Sequence, residues 1–450
     1  MAITDRLAEH LTSLRFEDLP DDAIHAAKRL ILDTLGVARA GAGEPGCAEI
    51  MAAVAHEEGT GRSTIWANGK RTSAPAAALI NGVAAAALDY DSLHFKGVTH
   101  PEIITLPAAM ALAERENRSG RDLILAVVAG GDLTNRIALS TGRSSGWFTT
   151  TIAGIFGATA GSGLMLGLDQ LAMRNALGLA LCQCSGTMQA VYERSLAKRM
   201  QSAFAARNGV YAAQFAKHGI GGPVEAFEGP GGYYALFEPG DAEILFDGLG
   251  QRFEIVNTGI KKFSSCACNH AAIEATCRLI DAHPLRADDI TSINVRITPF
   301  MQQLVGAPFD PSTNPQVAAQ FSVQYSIASV LLRRKFGLDD LTPERAQDPE
   351  VFKLARRITV EVDQNATQML TPATVRIETA DRRFEETVDV VPGSIGAALS
   401  DSEVIAKFYD CMKFGPAAMN AERGEALADA IAGLENIERL DGLFAARMAA

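Results

Sequence analysis

The sequence predicts a mainly α fold: a large all-helical domain formed by both chain ends, with a smaller α+β unit inserted between them. Three observations predict it. Residues 1–258 read almost throughout as helices rich in Ala, Leu and Gly, alternating strand-like segments begin only after them, and the chain turns helical again near its end. The expected division is 1–258 with 397–450 for the helical domain and 259–396 for the α+β domain. At 450 residues the chain also exceeds what one core usually supports.

The helical part starts clearly. In "LPDDAIHAAKRLILDTLGVARAGAG", Pro20 and Asp21 mark a helix start, Ile24, Ala27, Ile31 and Leu35 recur at helical spacing, and Gly41 marks the end. "APAAALINGVAAAALDY" and "TTTIAGIFGATAGSGLMLG" are apolar on most faces, which implies burial inside a bundle. Their glycines read as packing sites, because no phosphate loop follows a strand. "PGGYYALFEPGDAEILFDGLGQRFEI" is a glycine-rich connection. Beyond it come a helix in "HAAIEATCRLIDAHP", stopped by Pro284, and a half-buried strand in "TSINVRITPF". One helix each is expected in "AAQFSVQYSIASVLLRRKFG" and "DPEVFKLARR". A strand in "ITVEVDQ" and a hairpin in "ATVRIETADRRFEETVDV" follow, and "LSDSEVIAKFYDCM" opens the helical return.

Composition excludes several classes. An apolar fraction of 48% with 21% charged residues describes a globular chain, not a disordered one. A net charge of −12 without a basic cluster argues against a nucleic-acid surface. Charges or glycines interrupt every apolar run of about 18 residues, so no membrane span is expected. "MAITDRLAEHLTSL" is unlike a signal peptide, and seven cysteines without framework spacing read as reduced thiols, so a cytoplasmic location is expected.

The chemistry concentrates in "ALDYDSLHFKGVTHPE" (87–102), where Asp89, Asp91, His94 and His100 crowd between two alanine-rich helices. The spacing matches no metal-binding pair, so a metal is not expected. His100, against Pro101 and just before an apolar helix, has few structural reasons to be there and reads as a proton-transfer group. His94 reads equally as a solvated loop residue. Lys198 and Arg199 stand at the start of a helix, where acids are expected, so either an anion binds there or both reach solvent. Lys261 and Lys262 repeat the arrangement before a helix expected to begin near Asn269. Cys266 is placed in a pocket and Cys268 in the core. Tyr325 on an apolar helix and Arg143 in "STGRSSGWFTTT" each read as a site group or as an ordinary core or surface residue. No Walker loop or zinc cysteine set is present. Imidazole, lysines, carboxylates and a phenol around one anion suit proton abstraction beside a carboxylate.

At these residues the sequence resembles the MmgE/PrpD family of 2-methylcitrate dehydratases, cis-aconitate decarboxylases and an iminodisuccinate epimerase. The resemblance runs in order through "ILDTLGVARAG", "ALINGVAAAALDYDSLHFKGVTHPE", "GIFGATAGSGLMLGLD", "AKRMQSAFAARNGVYAAQFAKHGIGGP", "IKKFSSCACNHAAIEA", "AAQFSVQYSIASVL" and "LSDSEVIAKF". It implies an α+β lid over the helical domain, a homodimer, a site between the domains and no metal or organic cofactor. Its site motifs fall on Asp89, His100, Lys198, Lys261, Cys266 and Tyr325. Two departures stand out: Phe148 replaces the histidine of a "G-W-H-P-T" run, and Gln201 and Ala203 replace the His and Gly of "K-P-L-H-x-G". The resulting expectation is a cofactor-independent lyase or isomerase acting on a small di- or tricarboxylate, a 2-methylcitrate dehydratase-like hydro-lyase. The alternatives are an epimerase of an amino-dicarboxylate such as iminodisuccinate, a non-catalytic carboxylate binder, and a metal-dependent hydrolase. His100 and Lys198 are expected as the acid/base pair, with Asp89 orienting His100. Lys261, Arg199 and Arg143 would hold substrate carboxylates, Tyr325 would donate to one, and Asp91, His94 and Cys266 would line the pocket. No nucleic-acid or membrane partner is expected.

Overall fold

A computed structural model describes residues 1–55, 61–142, 146–416 and 418–448. Among the described residues there are twenty-one α-helices and eight short strands, so the fold is mainly α. Its centre is the helix Thr149–Leu166, which carries no charged side chain and is buried on nearly every face. Helices Glu102–Arg115, Gly120–Ser140 and Ala197–Lys217 pack around it, and Ala74–Ala86 packs between the first and the last of these. Small residues set the spacing. A Cβ on Gly130 would lie 2.6 Å from the Gly157 carbonyl oxygen, and one on Gly209 would lie 2.6 Å from Ala158 Cβ. Backbones therefore touch where these helices cross.

Composition makes Gly120–Ser140 long and apolar enough to cross a membrane, contrary to the expectation that no run qualifies. Its apolar window is 89% buried within the fold, which is where that hydrophobicity is used. A buried Asp132–Arg136 pair at 2.8 Å lies inside it, with Arg136 also donating to the Asp247 carbonyl at 2.7 Å.

In the α+β part, four strands lie in the spatial order Ile358–Val362, Ile290–Ile297, Ala373–Thr379, Arg383–Val388. The first two pair in parallel and the others antiparallel, so the expected hairpin is present. Alternation buries Ile293, Val295 and Ile297 beside Val375 and Ile377, and helix Ala267–Ala282 packs on the last two strands. The single helix expected across "AAQFSVQYSIASVLL" is two, Pro315–Gln320 and Val323–Arg333. Ser322 adopts an extended backbone, and its Oγ accepts from the Tyr325 amide at 3.1 Å, capping a new start. The helix expected from Asn269 starts two residues earlier, at Ala267. Helix Asp401–Cys411 begins with a Ser400–Glu403 capping box and packs on Asp21–Gly41, with Phe408 against Gly36.

A Cβ on Gly157 would fall into Thr134 and the Gly130 backbone. Gly157→Ala should lower unfolding free energy by about 2 kcal/mol, the scale of overpacking a filled core. Gly221→Ala, where a Cβ meets nothing within 4 Å, should stay within about 0.5 kcal/mol of wild type. Urea melts of both variants compare the two sites.

Candidate active site

The segment between helices Ala74–Ala86 and Glu102–Arg115 is fixed by a small β-contact: Leu93–His94 pairs antiparallel with Thr258–Gly259, Leu93 opposite Gly259. This pairing brings the chain at Lys261 beside Asp89. A tight turn follows, closed by the His94 amide on the Thr99 carbonyl at 2.8 Å and the Val98 amide on the His94 carbonyl at 2.7 Å. Asp89 and Val98 have φ of +50° and +52°. A β-branched residue in the left-handed region is strained, and such strain persists only where the surroundings impose it. Val98 and His100 both line the same cavity.

Asp89 is the hub. One carboxylate oxygen pairs with Lys198 Nζ, and the other lies 3.2 Å from Lys261 Nζ, which also donates to the Asp89 carbonyl at 2.6 Å. Burial alone would push this carboxyl up, but Lys198, Lys261 and then His100 outweigh it and hold it well below the usual carboxylate range. Burial likewise works against the Lys261 ammonium, and Asp89 and Asp91 overcome it, so its pKa is raised and it stays charged. The anion anticipated at the Ala197–Lys217 helix start is thus supplied by the protein itself.

His100 is held from behind. Its Nδ1 lies 2.7 Å from Asp91 Oδ2 and 3.0 Å from the Ser92 carbonyl oxygen. That commits Nδ1 to the protein and makes Nε2 the nitrogen through which a substrate proton can pass. The residue orienting His100 is therefore Asp91, not Asp89, because the left-handed turn at Asp89 sends its side chain to the lysines instead. Burial opposes the Asp91 charge, and His100 and Lys261 more than restore it, leaving the pKa lowered.

Further support comes from residues the sequence reading did not single out. Lys407 pairs with Asp33 at 2.7 Å and donates to the carbonyls of Tyr90 at 2.8 Å and Lys261 at 3.0 Å. One buried ammonium thereby pins both segments that meet at Asp89. Its sequence signal is phase: Lys407 shares the helix face of the buried Val404, Phe408 and Cys411, where a lysine needs a partner. Glu102 takes a hydrogen bond from Ser92 Oγ at 2.6 Å, and burial pushes its carboxyl up to about 7.

A cavity of about 320 Å³ opens onto this cluster, lined by Asp89, His100, Lys198, Lys261 and Cys266. Five of the sequence-selected residues thus converge, and Asp91 sits behind them. Others do not. Tyr325 is buried under Phe309 and Phe336, and its hydroxyl donates to the Asp340 carbonyl, so it is a core residue. Arg199 follows Lys198 by about 100° around the helix and bonds the Pro45 carbonyl at 2.8 Å and Gln316 at 3.3 Å, away from the cavity. His94 is buried, accepting from the Gly97 amide at 2.9 Å with Nε2 3.6 Å from Glu254. It builds the turn and does not reach the cavity. Arg143 lies outside the described residues. Phe148 lines the cavity wall, whereas Gln201 is tied to the Thr187 backbone at 2.6 and 3.1 Å. Among the described residues no group of three or more His, Cys, Asp or Glu side chains is placed to hold a metal ion.

Family models for the MmgE/PrpD N-terminal domain and the MmgE/PrpD C-terminal domain match residues 5–244 and 263–432. The chain is 29% identical to a cis-aconitate decarboxylase of Aspergillus terreus, over 84% of this chain and 83% of that protein. It is 27% identical to the cis-aconitate decarboxylase-like protein oryM of Aspergillus oryzae, over 98% and 96%. The cis-aconitate decarboxylase of Mus musculus is 26% identical, over 80% and 76%.

Two outcomes follow from these placements. A carboxyl whose pKa is raised to about 7 on folding is penalised in the native state as pH climbs from the unfolded value near ~4.3 through 7. Glu102→Gln removes that penalty, so denaturant melts should show the variant gaining about 2 kcal/mol on wild type between pH 5 and pH 8. Tyr325→Phe should lower stability by about 1 kcal/mol while kcat stays within about twofold, since the hydroxyl serves the core.

Proposed function

The chain belongs to the MmgE/PrpD family, and on that premise we propose that it is a cofactor-independent lyase acting on a small di- or tricarboxylate. The observation that carries this reading is the convergence of Asp89, Lys198, Lys261 and an Asp91-held His100 on one cavity. A substrate carboxylate docks against the Lys261 and Lys198 ammoniums. They stabilise the enolate-like charge that spreads onto it when a bond to the neighbouring carbon breaks. His100 moves the proton on carbon through Nε2, and Asp91 stabilises the imidazolium whenever that ring carries two protons. In a dehydration, His100 removes the proton, the C–O bond breaks, and Lys198 protonates the departing hydroxyl as water. In a decarboxylation, the C–C bond breaks, carbon dioxide leaves, and the protonated His100 or Lys198 returns a proton to carbon. Similarity to cis-aconitate decarboxylases favours decarboxylation over the hydro-lyase form and lends nothing to an epimerase or a non-catalytic binder. The proposal includes a homodimer in the cytoplasm with residues 259–396 as the lid; a monomer mass on sedimentation would remove the first of these.

Proton NMR in heavy water with cis-aconitate, citrate, 2-methylcitrate and 2-butylmalate tests the reaction class: product or deuterium on carbon is expected with at least one. Neither signal with any of the four would reject it. His100→Ala and Lys198→Ala should each lower kcat by about 10²-fold or more, and turnover within a few-fold of wild type in both would remove their assigned roles.

A further inference from the structure

The cavity has two chemistries. The ionic groups cluster around Asp89, while much of the remaining wall is apolar: Met188 and Tyr192 from one side, Phe300 and Leu304 one helical turn apart on Pro299–Val305, with Phe321 and Met369. Phe321 marks the junction, its ring centroid 5.7 Å from Lys198 Nζ. The Gln303 amide donates to the Tyr192 hydroxyl at 3.3 Å, so the two sides of the wall are joined to each other. Tyr192 is 47% exposed, which brings the wall out to solvent. The volume of about 320 Å³ lies within the ~300–1,000 Å³ that holds organic ligands larger than a bare six-carbon acid.

The charge at the ionic end points the same way. Among the described residues, the two lysines facing the cavity are matched by the carboxylates of Asp89 and Asp91, and only a protonated His100 adds an excess positive charge. That arrangement suits one held carboxylate, with a second near the mouth where water can solvate it. A bare polycarboxylate would also leave the aromatic and thioether wall against water, which disfavours it.

We propose that the substrate is an amphipathic dicarboxylate, with a carboxylate at the Lys198–Lys261 end and an alkyl or aryl arm lying along Met188, Tyr192, Phe300 and Leu304. This rests on the reading of the cavity as the reaction site and narrows its substrate. Titration calorimetry with the unreactive series succinate, methylsuccinate, butylsuccinate and hexylsuccinate, plus tricarballylate, tests it on the full chain. Affinity should rise about fourfold per added methylene as far as butyl, the increment for burying one such group. Butylsuccinate should bind more tightly than tricarballylate. Leu304→Gln and Phe300→Ala should each flatten the dependence on chain length, with thermal melts checking that both fold. Affinity that is flat or falling with chain length, or tighter binding of tricarballylate, overturns the apolar arm and leaves the lyase reading standing. No binding by any of the acids, or affinities all unchanged in Lys198→Gln, overturns the site reading and the arm with it.

Discussion

A carboxylate buried between two ammonium groups is the constraint on which the rest of this structure depends. Asp89 is almost wholly removed from water, and an isolated ion there would be far too unfavourable to keep. Lys198 reaches it from the start of a core helix and Lys261 from the chain just after the Leu93–His94/Thr258–Gly259 pairing. Losing Asp89 would deprive both ammoniums of their shared partner, and losing either lysine would leave one carboxylate oxygen unpaired, so the three segments are energetically a single unit. The same arrangement suits the proposed chemistry. Two ammoniums already held in place need little reorganisation when negative charge grows on a ligand beside them.

Around this hub a second set of contacts fixes direction. Asp91 and the Ser92 carbonyl hold the Nδ1 edge of the His100 ring, and Ser92 also bonds Glu102 at the head of the next helix. Lys407 ties Tyr90 and Lys261 together from a helix far along the chain. Placement of the imidazole therefore follows from a helix start, a strained turn and a distant lysine acting at once. The left-handed backbone at Asp89 is what lets two aspartates only two residues apart serve different partners.

Much of this is legible in the sequence where a residue breaks a local rule. His100 before an apolar helix, and lysines at helix starts that ought to carry acids, stand out because ordinary packing gives no reason for them. Tyr325 shows the limit of that reasoning. A tyrosine on an apolar helix has the same pattern whether its hydroxyl meets a substrate or the Asp340 carbonyl. Arg199 is misjudged for a geometric reason, since neighbours on a helix diverge and only Lys198 can face the cavity. The exchange between Asp89 and Asp91 is invisible beforehand, because it rests on one backbone angle. The broken helix at Ser322 depends on a cap whose donor is three residues away, and a serine in that pattern also fits a helix interior. The apolar wall is hidden because its members come from segments far apart in the chain.

The position of Lys407 has a consequence for biosynthesis. Domains emerge from the ribosome N-terminal end first, so Asp33, Asp89 and Lys261 are all translated well before the ammonium that clamps their segments. Until the Asp401–Cys411 helix is released and docks, Asp33 lies without its counter-ion and the two site segments lack their shared tether. A nascent chain stalled short of that helix should thus hold a collapsed helical body with an unfinished pocket, and a chaperone would meet an incomplete enzyme rather than an unfolded one.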